Sequence, residues 1–407
     1  MSAHDELVRG KRPNARLLML LQRPWLQRLV AFLQGCLGIL AVVPVFLLFM
    51  TSRLQGTALL AIPFILLSVF ATTAVHEFGH FLAARIAGMH VMVVQIGFVQ
   101  LVGQRAGWRV RLRRPHARTD ASGYILAIPD FDRSLRAQEI PLILGGPLMN
   151  LLVAGLSAGI GWILRADPIV PVFWSFAGMN ALVGLINLLP HAGSRNDGYQ
   201  LLAWLNNPDP DDPLFSYAKA VWLSLRGITA DQLPRALLDA LDAQPMPMPL
   251  IRLWYDMKGA QNSADWQHAL ALAEECDTRA AALGPRVLVA LREFLSIMRA
   301  ESAFSKALLA LDPSPLRVGR FSARQLWHAP HLNPRLDALR TAILGDRPAC
   351  ERLLAESQRA ADNSIDRALH ESERRLREAV RRVLERTMGR NVEQRTDVAE
   401  PLQSLAP

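Results

Sequence analysis

Cysteine is scarce in this 407-residue chain, and charge is missing from long parts of its first half. Cys36, Cys276 and Cys350 are too few and too scattered for a disulfide framework, so free thiols are expected. No Asp, Glu, Lys or Arg occurs from Leu29 to Met50, Thr57 to Val75, Ile140 to Leu164 or Pro168 to Ser194. Each run reaches the roughly 18 to 20 residues needed to cross hydrocarbon, so four transmembrane helices are expected and an ordinary soluble protein is excluded. A cleavable signal peptide is not expected. The first run starts only at Leu29, spans 22 residues and lacks a small-residue cleavage site, so it reads as a permanent anchor. After Pro208 no apolar run is long enough to span.

The net charge of +9 resembles a nucleic-acid signal until it is divided along the chain. Residues 1–198 hold 18 Lys and Arg against 9 Asp and Glu, whereas residues 199–407 hold 27 of each. The excess therefore belongs to the apolar half, and no nucleic-acid partner is expected. Six basic residues precede Leu29 and nine lie from Arg85 to Arg136, but the two short loops between carry only Arg53 and Arg165. The positive-inside rule then places both termini and the 85–139 segment in the cytoplasm.

Against this background AVHEFGHFLAARIAG (74–88) is unusual, because three ionisable residues close the second apolar run. Ionisable side chains are costly in a membrane and usually serve a function there. On a helix, His76 and His80 share one face, the spacing two imidazoles need to hold one zinc ion with Glu77 beside them as general base. A coincidental pair of core histidines is the competing reading. A catalytic zinc needs a third protein ligand and an open position for water. The fourth run ends in NLLPHAGSRNDGYQLL (187–202), at the same depth as the histidines, where Pro and Gly free the backbone to turn Asp197 toward a metal. NDG is equally at home in a plain surface turn, and His191 is a rival ligand. In the third run GGPLMNLLVAG (145–155) places Gly145, Gly146 and Asn150 in hydrocarbon. These make a close packing face with one interhelical hydrogen bond, alone or together with a helix loosened beside the metal.

HEFGH in one span, GGPLMN in the next and NLLP…DG in the last together resemble the site-2 protease family of intramembrane zinc metalloproteases, over about residues 57–202. The resemblance implies a three-helix catalytic core binding one zinc ion. His76, His80 and Asp197 would be ligands, Glu77 the general base, and Asn187 an aid in holding substrate or the oxyanion. It also implies a transmembrane or membrane-associated protein or peptide substrate and a multi-pass protein of the bacterial cytoplasmic membrane. Six residues separate Pro190 from Asp197, longer than the family's usual spacing, which keeps His191 open. A zinc-binding scaffold without hydrolysis is the alternative function, and the intact Glu77 argues against it. A transporter is disfavoured by four spans and no repeat pairing.

Between spans two and three, VMVVQIGFVQLVG (91–103), WRVRLR (108–113) and ASGYILAIP (121–129) read as β-strands. This β-rich loop (89–139) serves either as an edge that pairs with unwound substrate or as a solvated basic hairpin on anionic lipid. The expected layout is a basic N-terminus (1–28), an anchor helix and short loop (29–56), the metalloprotease core (57–202), a mainly helical soluble domain (203–388) and a disordered tail (389–407). Within the soluble domain FSKALLALDP (304–313) resembles the end of a tetratricopeptide repeat and DWQHALALAEE (265–275) a weaker relative, against the plainer reading of an irregular bundle. Residues 364–388 form an amphipathic helix with Ile365, Leu369, Leu376, Val380 and Val383 on one side, either a packing face or a seam for a dimer or protein partner. Reporter fusions after Arg53 or Arg165 are expected to read as extracytoplasmic. Cytoplasmic signals there would overturn both the topology and the depth assigned to the histidines.

Overall fold

The computed structural model describes residues 58–112, 123–165, 167, 169–190, 196–205, 212–316 and 327–399, with residues 23, 25–30, 32, 33 and 36. Among the described residues the chain is mostly helical, with three helices long and apolar enough to cross a membrane and one small antiparallel sheet. The run Leu29–Met50, expected to be a fourth span, lies mostly outside the described residues. There are two compact units, with the main division between Pro210 and Asp211.

In the first unit, α1 (Ala58–Ile86), α2 (Leu135–Ile163) and α3 (Val170–Leu188) pack on one another. Lipid tails supply no hydrophobic force between helices, so close backbone approach must do that work. Gly79 and Gly145 provide it. A Cβ on Gly79 would collide with Gly145 O, and one on Gly145 would lie 2.5 Å from Gly79 O and 2.7 Å from Ala83 Cβ. Gly184 of α3 meets Pro147 O of α2 in the same way, at 3.0 Å. Outward, Leu66, Leu67, Leu148, Leu152, Leu156 and Ile163 are exposed, an apolar surface suited to lipid. Ser134 caps α2 by accepting from the Ala137 N–H, so this helix starts five residues before its uncharged run.

The sheet has four strands, β1 (His90–Ile96), β2 (Val99–Gln104), β3 (Gly107–Leu112) and β4 (Gly123–Ile128), in the order β3-β2-β1-β4. The stretch 91–103, read from sequence as one β segment, is a hairpin. Gly97 at φ +53° reverses the chain inside it, a backbone state glycine adopts at no steric cost. β4 pairs with β1 and forms an edge of the sheet. The segment after α3 closes with a short helix, α4 (Asp197–Leu205).

The second unit is helical. DWQHALALAEE lies in α8 (Trp266–Ala281), started by the Asp265 side chain, and FSKALLALDP closes α10 (Arg292–Ala310). Its last helix, α13 (Arg367–Ala399), bears on two of the expectations above. Leu376, Val380 and Val383 are buried in this unit's own core, so the amphipathic side is a packing face and not a free dimer seam. The helix also continues to Ala399, through the first part of the segment expected to be disordered. Once a helix is nucleated, each further Arg, Glu or Gln extends it at little cost.

Beneath these helices lies a buried charge network. Arg335 Nη1 and Nη2 lie 2.5 Å from Glu373 Oε1 and Glu301 Oε2, and Lys258 Nζ lies 2.9 Å from Glu301 Oε1. The four charges sum to zero, and each is at most 6% exposed. Burial alone would raise the Glu301 carboxyl, but Arg335 and Lys258 outweigh it and hold Glu301 below the usual carboxylate range. Arg335→Met leaves Glu301 short of one partner and Glu373 with His331, at 3.4 Å, and the nearby charge of Arg377. It is expected to cost about 3–5 kcal/mol, the range for breaking a buried pair from one side. Hydrogen exchange of α10 and of α11 (Leu332–Ile343) in the full chain measures this.

Candidate metal centre

His76, Glu77 and His80 lie in the buried middle of the three-helix cluster, at 8%, 4% and 9% exposure. The two imidazoles stand one helical turn apart on α1, with their Nε2 atoms 3.1 Å from each other. Tetrahedral zinc with bonds of about 2.0–2.1 Å would separate two nitrogen ligands by about 3.3 Å. That spacing fits.

The outer nitrogens decide the tautomers. His80 Nδ1 lies 2.6 Å from Leu142 O, a carbonyl that can only accept, so this nitrogen carries hydrogen. The Gly146 N–H sits farther from the same nitrogen, at 3.3 Å, and does not displace that contact. His76 Nδ1 lies 2.6 Å from Asn150 Oδ1. With both Nδ1 atoms protonated, both Nε2 atoms present lone pairs. Asp197 then brings Oδ2 to 3.1 Å from His76 Nε2 and Oδ1 to 3.6 Å from His80 Nε2. Three acceptors meet with no hydrogen among them. One shared proton would satisfy a single pair, whereas a divalent cation satisfies all three. The ligand atoms lie within 4.8 Å of one another. Among the described residues of the first unit, the buried side-chain polar atoms without a hydrogen-bond partner are Glu77 Oε2 and Asp197 Oδ2. Both belong to this cluster, so the residues present fit a zinc ion.

Asp197 reaches the cluster from an unexpected element. It is the first residue of α4 rather than part of an open loop. Asn196 holds the turn: its Nδ2 donates to Leu189 O at 2.6 Å, and its Oδ1 accepts from the Tyr199 N–H at 3.3 Å. Gly198 fits because any Cβ there would strike Leu188 O. His191, the rival ligand, lies outside the described residues. The Asn187 amide donates to Val183 O at 3.1 Å, within its own helix, and among the described residues shows no hydrogen bond to His76, His80 or Asp197.

The two adjacent glycines of α2, which runs as one helix through them, do different work. Gly145 serves the helix crossing. Gly146 serves the cluster, since a Cβ there would lie 2.5 Å from His80 Nε2 and 2.8 Å from His76 Nε2. On the far side, a Cβ on Gly123 at the start of β4 would strike Glu77 Oε1.

Residues 64–166 match peptidase family M50. This is the site-2 protease family, which the sequence motifs resemble, and it implies a metallopeptidase. The matched M50 stretch contains His76, Glu77, His80, Gly146 and Asn150 and stops before Asp197, so Asp197 stands on geometry. No curated protein and no solved structure matches the chain.

Sequence reasoning missed Asn180, which is fully buried on α3, and Asn196. Asn180 left a signal: it is a polar side chain deep in a long apolar run, where such groups are costly. Asn196, in a turn-forming sequence, left none. Gly146→Ala is expected to push the imidazoles apart and weaken zinc binding roughly tenfold or more, as disturbance next to the ligands typically does. Gly155→Ala, where an added Cβ meets nothing within 4 Å, should leave zinc content unchanged.

Proposed function

We propose that this chain is a zinc-dependent intramembrane endopeptidase. It would cleave membrane-embedded or membrane-associated proteins or peptides near the cytoplasmic leaflet, in regulated proteolysis or peptide processing. The observation that carries this reading is the buried meeting of His76, His80 and Asp197 beside a Glu77 with an unpartnered oxygen. A zinc ion held by those three residues would lower the pKa of water to about 7 and polarise the scissile carbonyl. Glu77 takes the proton of the attacking water and delivers it to the leaving amine. Its Oε2, buried and with no other partner, is the atom for that transfer.

Substrate delivery follows from the constraint on any transmembrane helix. Its carbonyls are tied up in its own hydrogen bonds, so it must unwind before it can be cut. An unwound segment can add as a strand to an open sheet edge. Among the described residues β4 offers such an edge, and its first residue, Gly123, lies against Glu77. Asn187 would assist at the substrate or oxyanion after releasing Val183 O. Among the described residues the second unit supplies none of the clustered side chains, and the half of the chain containing it has no net charge, in keeping with a role in recognising a protein partner. With Leu29–Met50 as anchor, the chain would cross the bacterial cytoplasmic membrane four times, both termini inside.

The test uses a co-expressed single-span protein with helix-weakening residues near the cytoplasmic leaflet. Glu77→Gln should retain zinc yet cleave at least about 100-fold more slowly, the scale of a lost general base. Asp197→Ala should lose zinc while His191→Ala keeps it. Persistent cleavage by Glu77→Gln would remove the proposed chemistry, and the reverse zinc result would transfer the third ligand to His191.

A further inference from the structure

We propose that Asn180 is a positioning residue for His76: acting through Asn150, it holds the His76 imidazole so that the Nε2 lone pair faces the metal position. The inference rests on the metal-site reading above. It concerns three helices, since His76 lies on α1, Asn150 on α2 and Asn180 on α3.

The line of contacts has a direction, and backbone carbonyls set it. Phe176 O can only accept, so the Asn180 group 2.9 Å away must be its amide nitrogen. Asn180 Oδ1 therefore points away from Phe176 O and lies 2.8 Å from Asn150. An oxygen there requires a donor, so Asn150 presents its own amide nitrogen. The second hydrogen on that nitrogen goes to Thr72 O at 3.1 Å, another group that can only accept. Asn150 Oδ1 is thus left facing His76 Nδ1 at 2.6 Å, and an amide oxygen cannot donate. The hydrogen must sit on Nδ1 and the lone pair on Nε2.

Thr72 O alone would give the Asn150 amide nitrogen one contact, leaving the amide plane fixed on its other side only by the imidazole it is meant to aim. Asn180 supplies the second, and two contacts fix the plane. Asn150 and Asn180 are both fully buried and Thr72 is 1% exposed, so water cannot take over either bond. Without the Asn180 oxygen, one Asn150 N–H would be buried with no acceptor. Such a group relaxes by turning, and turning moves the oxygen that aims His76. A polar residue that served only helix packing would tie α2 to α3 but would have no effect on the ligand.

The test titrates the full-length protein in detergent micelles with cobalt(II), whose visible absorption reports the ligand set, and competes it with zinc. Proton NMR of the cobalt form in water should show a strongly shifted, exchangeable ring N–H for each ligating histidine. In Asn180→Leu, similar in volume but without the oxygen, cobalt affinity should fall roughly tenfold, the lower end for partners behind metal ligands. One ring N–H should move or exchange faster while the other stays. Ser175→Ala, a buried polar change on the same helix outside this line of contacts, should alter neither measurement. If Asn180→Leu does not fold, Asn180→Ser, too short to reach Asn150, is measured in its place. Unchanged affinity and unmoved resonances in a folded variant would overturn the proposal, and so would misfolding of both, which would make Asn180 structural. The underlying metal-site reading fails by different results: no cobalt uptake by the wild type, or wild-type affinity in His80→Ala.

Discussion

Three electron-pair donors aimed at one point inside an apolar helix cluster repel each other unless a cation lies between them, and most of the first unit answers to that constraint. His76 and His80 share one face of α1 because they are one turn apart, but α1 itself brings no carboxylate oxygen into the cluster with their ring nitrogens. Asp197 therefore comes from α4, held in place by Asn196 against the end of α3. The outer nitrogens of the imidazoles must carry hydrogen for the inner ones to be free, and Leu142 O and Asn150 Oδ1 enforce this. Space follows the same logic. Gly79 and Gly145 bring α1 and α2 into backbone contact, and Gly146 leaves open the volume the Nε2 atoms occupy.

Polar satisfaction separates structural from chemical roles. Asn150, Asn180 and Thr72 are buried among apolar helices, and each makes hydrogen bonds. A bilayer supplies no water to stand in for a missing partner, so these contacts also bind the helices together. Glu77 Oε2 and Asp197 Oδ2 break the pattern. A buried oxygen without a donor is destabilising in the resting fold, and it is retained here where a cation or a proton in transit would meet it. The second unit handles buried charge differently. Lys258, Glu301, Arg335 and Glu373 neutralise one another and hold α7 (Met248–Asn262), α10, α11 and α13 in register. Such a network is specific more than it is strongly stabilising, because desolvation offsets much of the attraction.

The apolar runs, the H-E-x-x-H spacing and the basic asymmetry are local properties, and they were legible from the residues alone. Periodicity and length are enough to mark a helix that crosses hydrocarbon, and i, i+4 spacing is enough to pair two imidazoles on it. Gly145 and Gly146 were visible as small residues in a span, yet adjacent letters in one motif turned out to do different work. Which one faces the α1 backbone and which one faces the two imidazoles depends on the rotation of α2, and no local pattern encodes that. Gly97 likewise broke a continuous β-like stretch into a hairpin, because strand propensity says nothing about where the chain reverses.

Long-range partnership was decided only in three dimensions. Asp197 lies more than a hundred residues from His80, and spacing alone left it balanced between ligand and surface turn, with only the motif resemblance favouring the ligand; the fold brings it to His76 Nε2 through a helix start the sequence did not announce. Asn180 was one polar letter in a long apolar run, and only the packing of α3 against α2 makes it the neighbour of Asn150. The amphipathic side of α13 could have faced a partner or a core, and burial of Leu376 and Val380 settles it for the core. The sequence alone determined which stretches are apolar enough to cross hydrocarbon and what chemistry their side chains can do. Tertiary structure decided which of those side chains meet, since lone-pair direction, close approach and burial arise only when separate elements share one small volume.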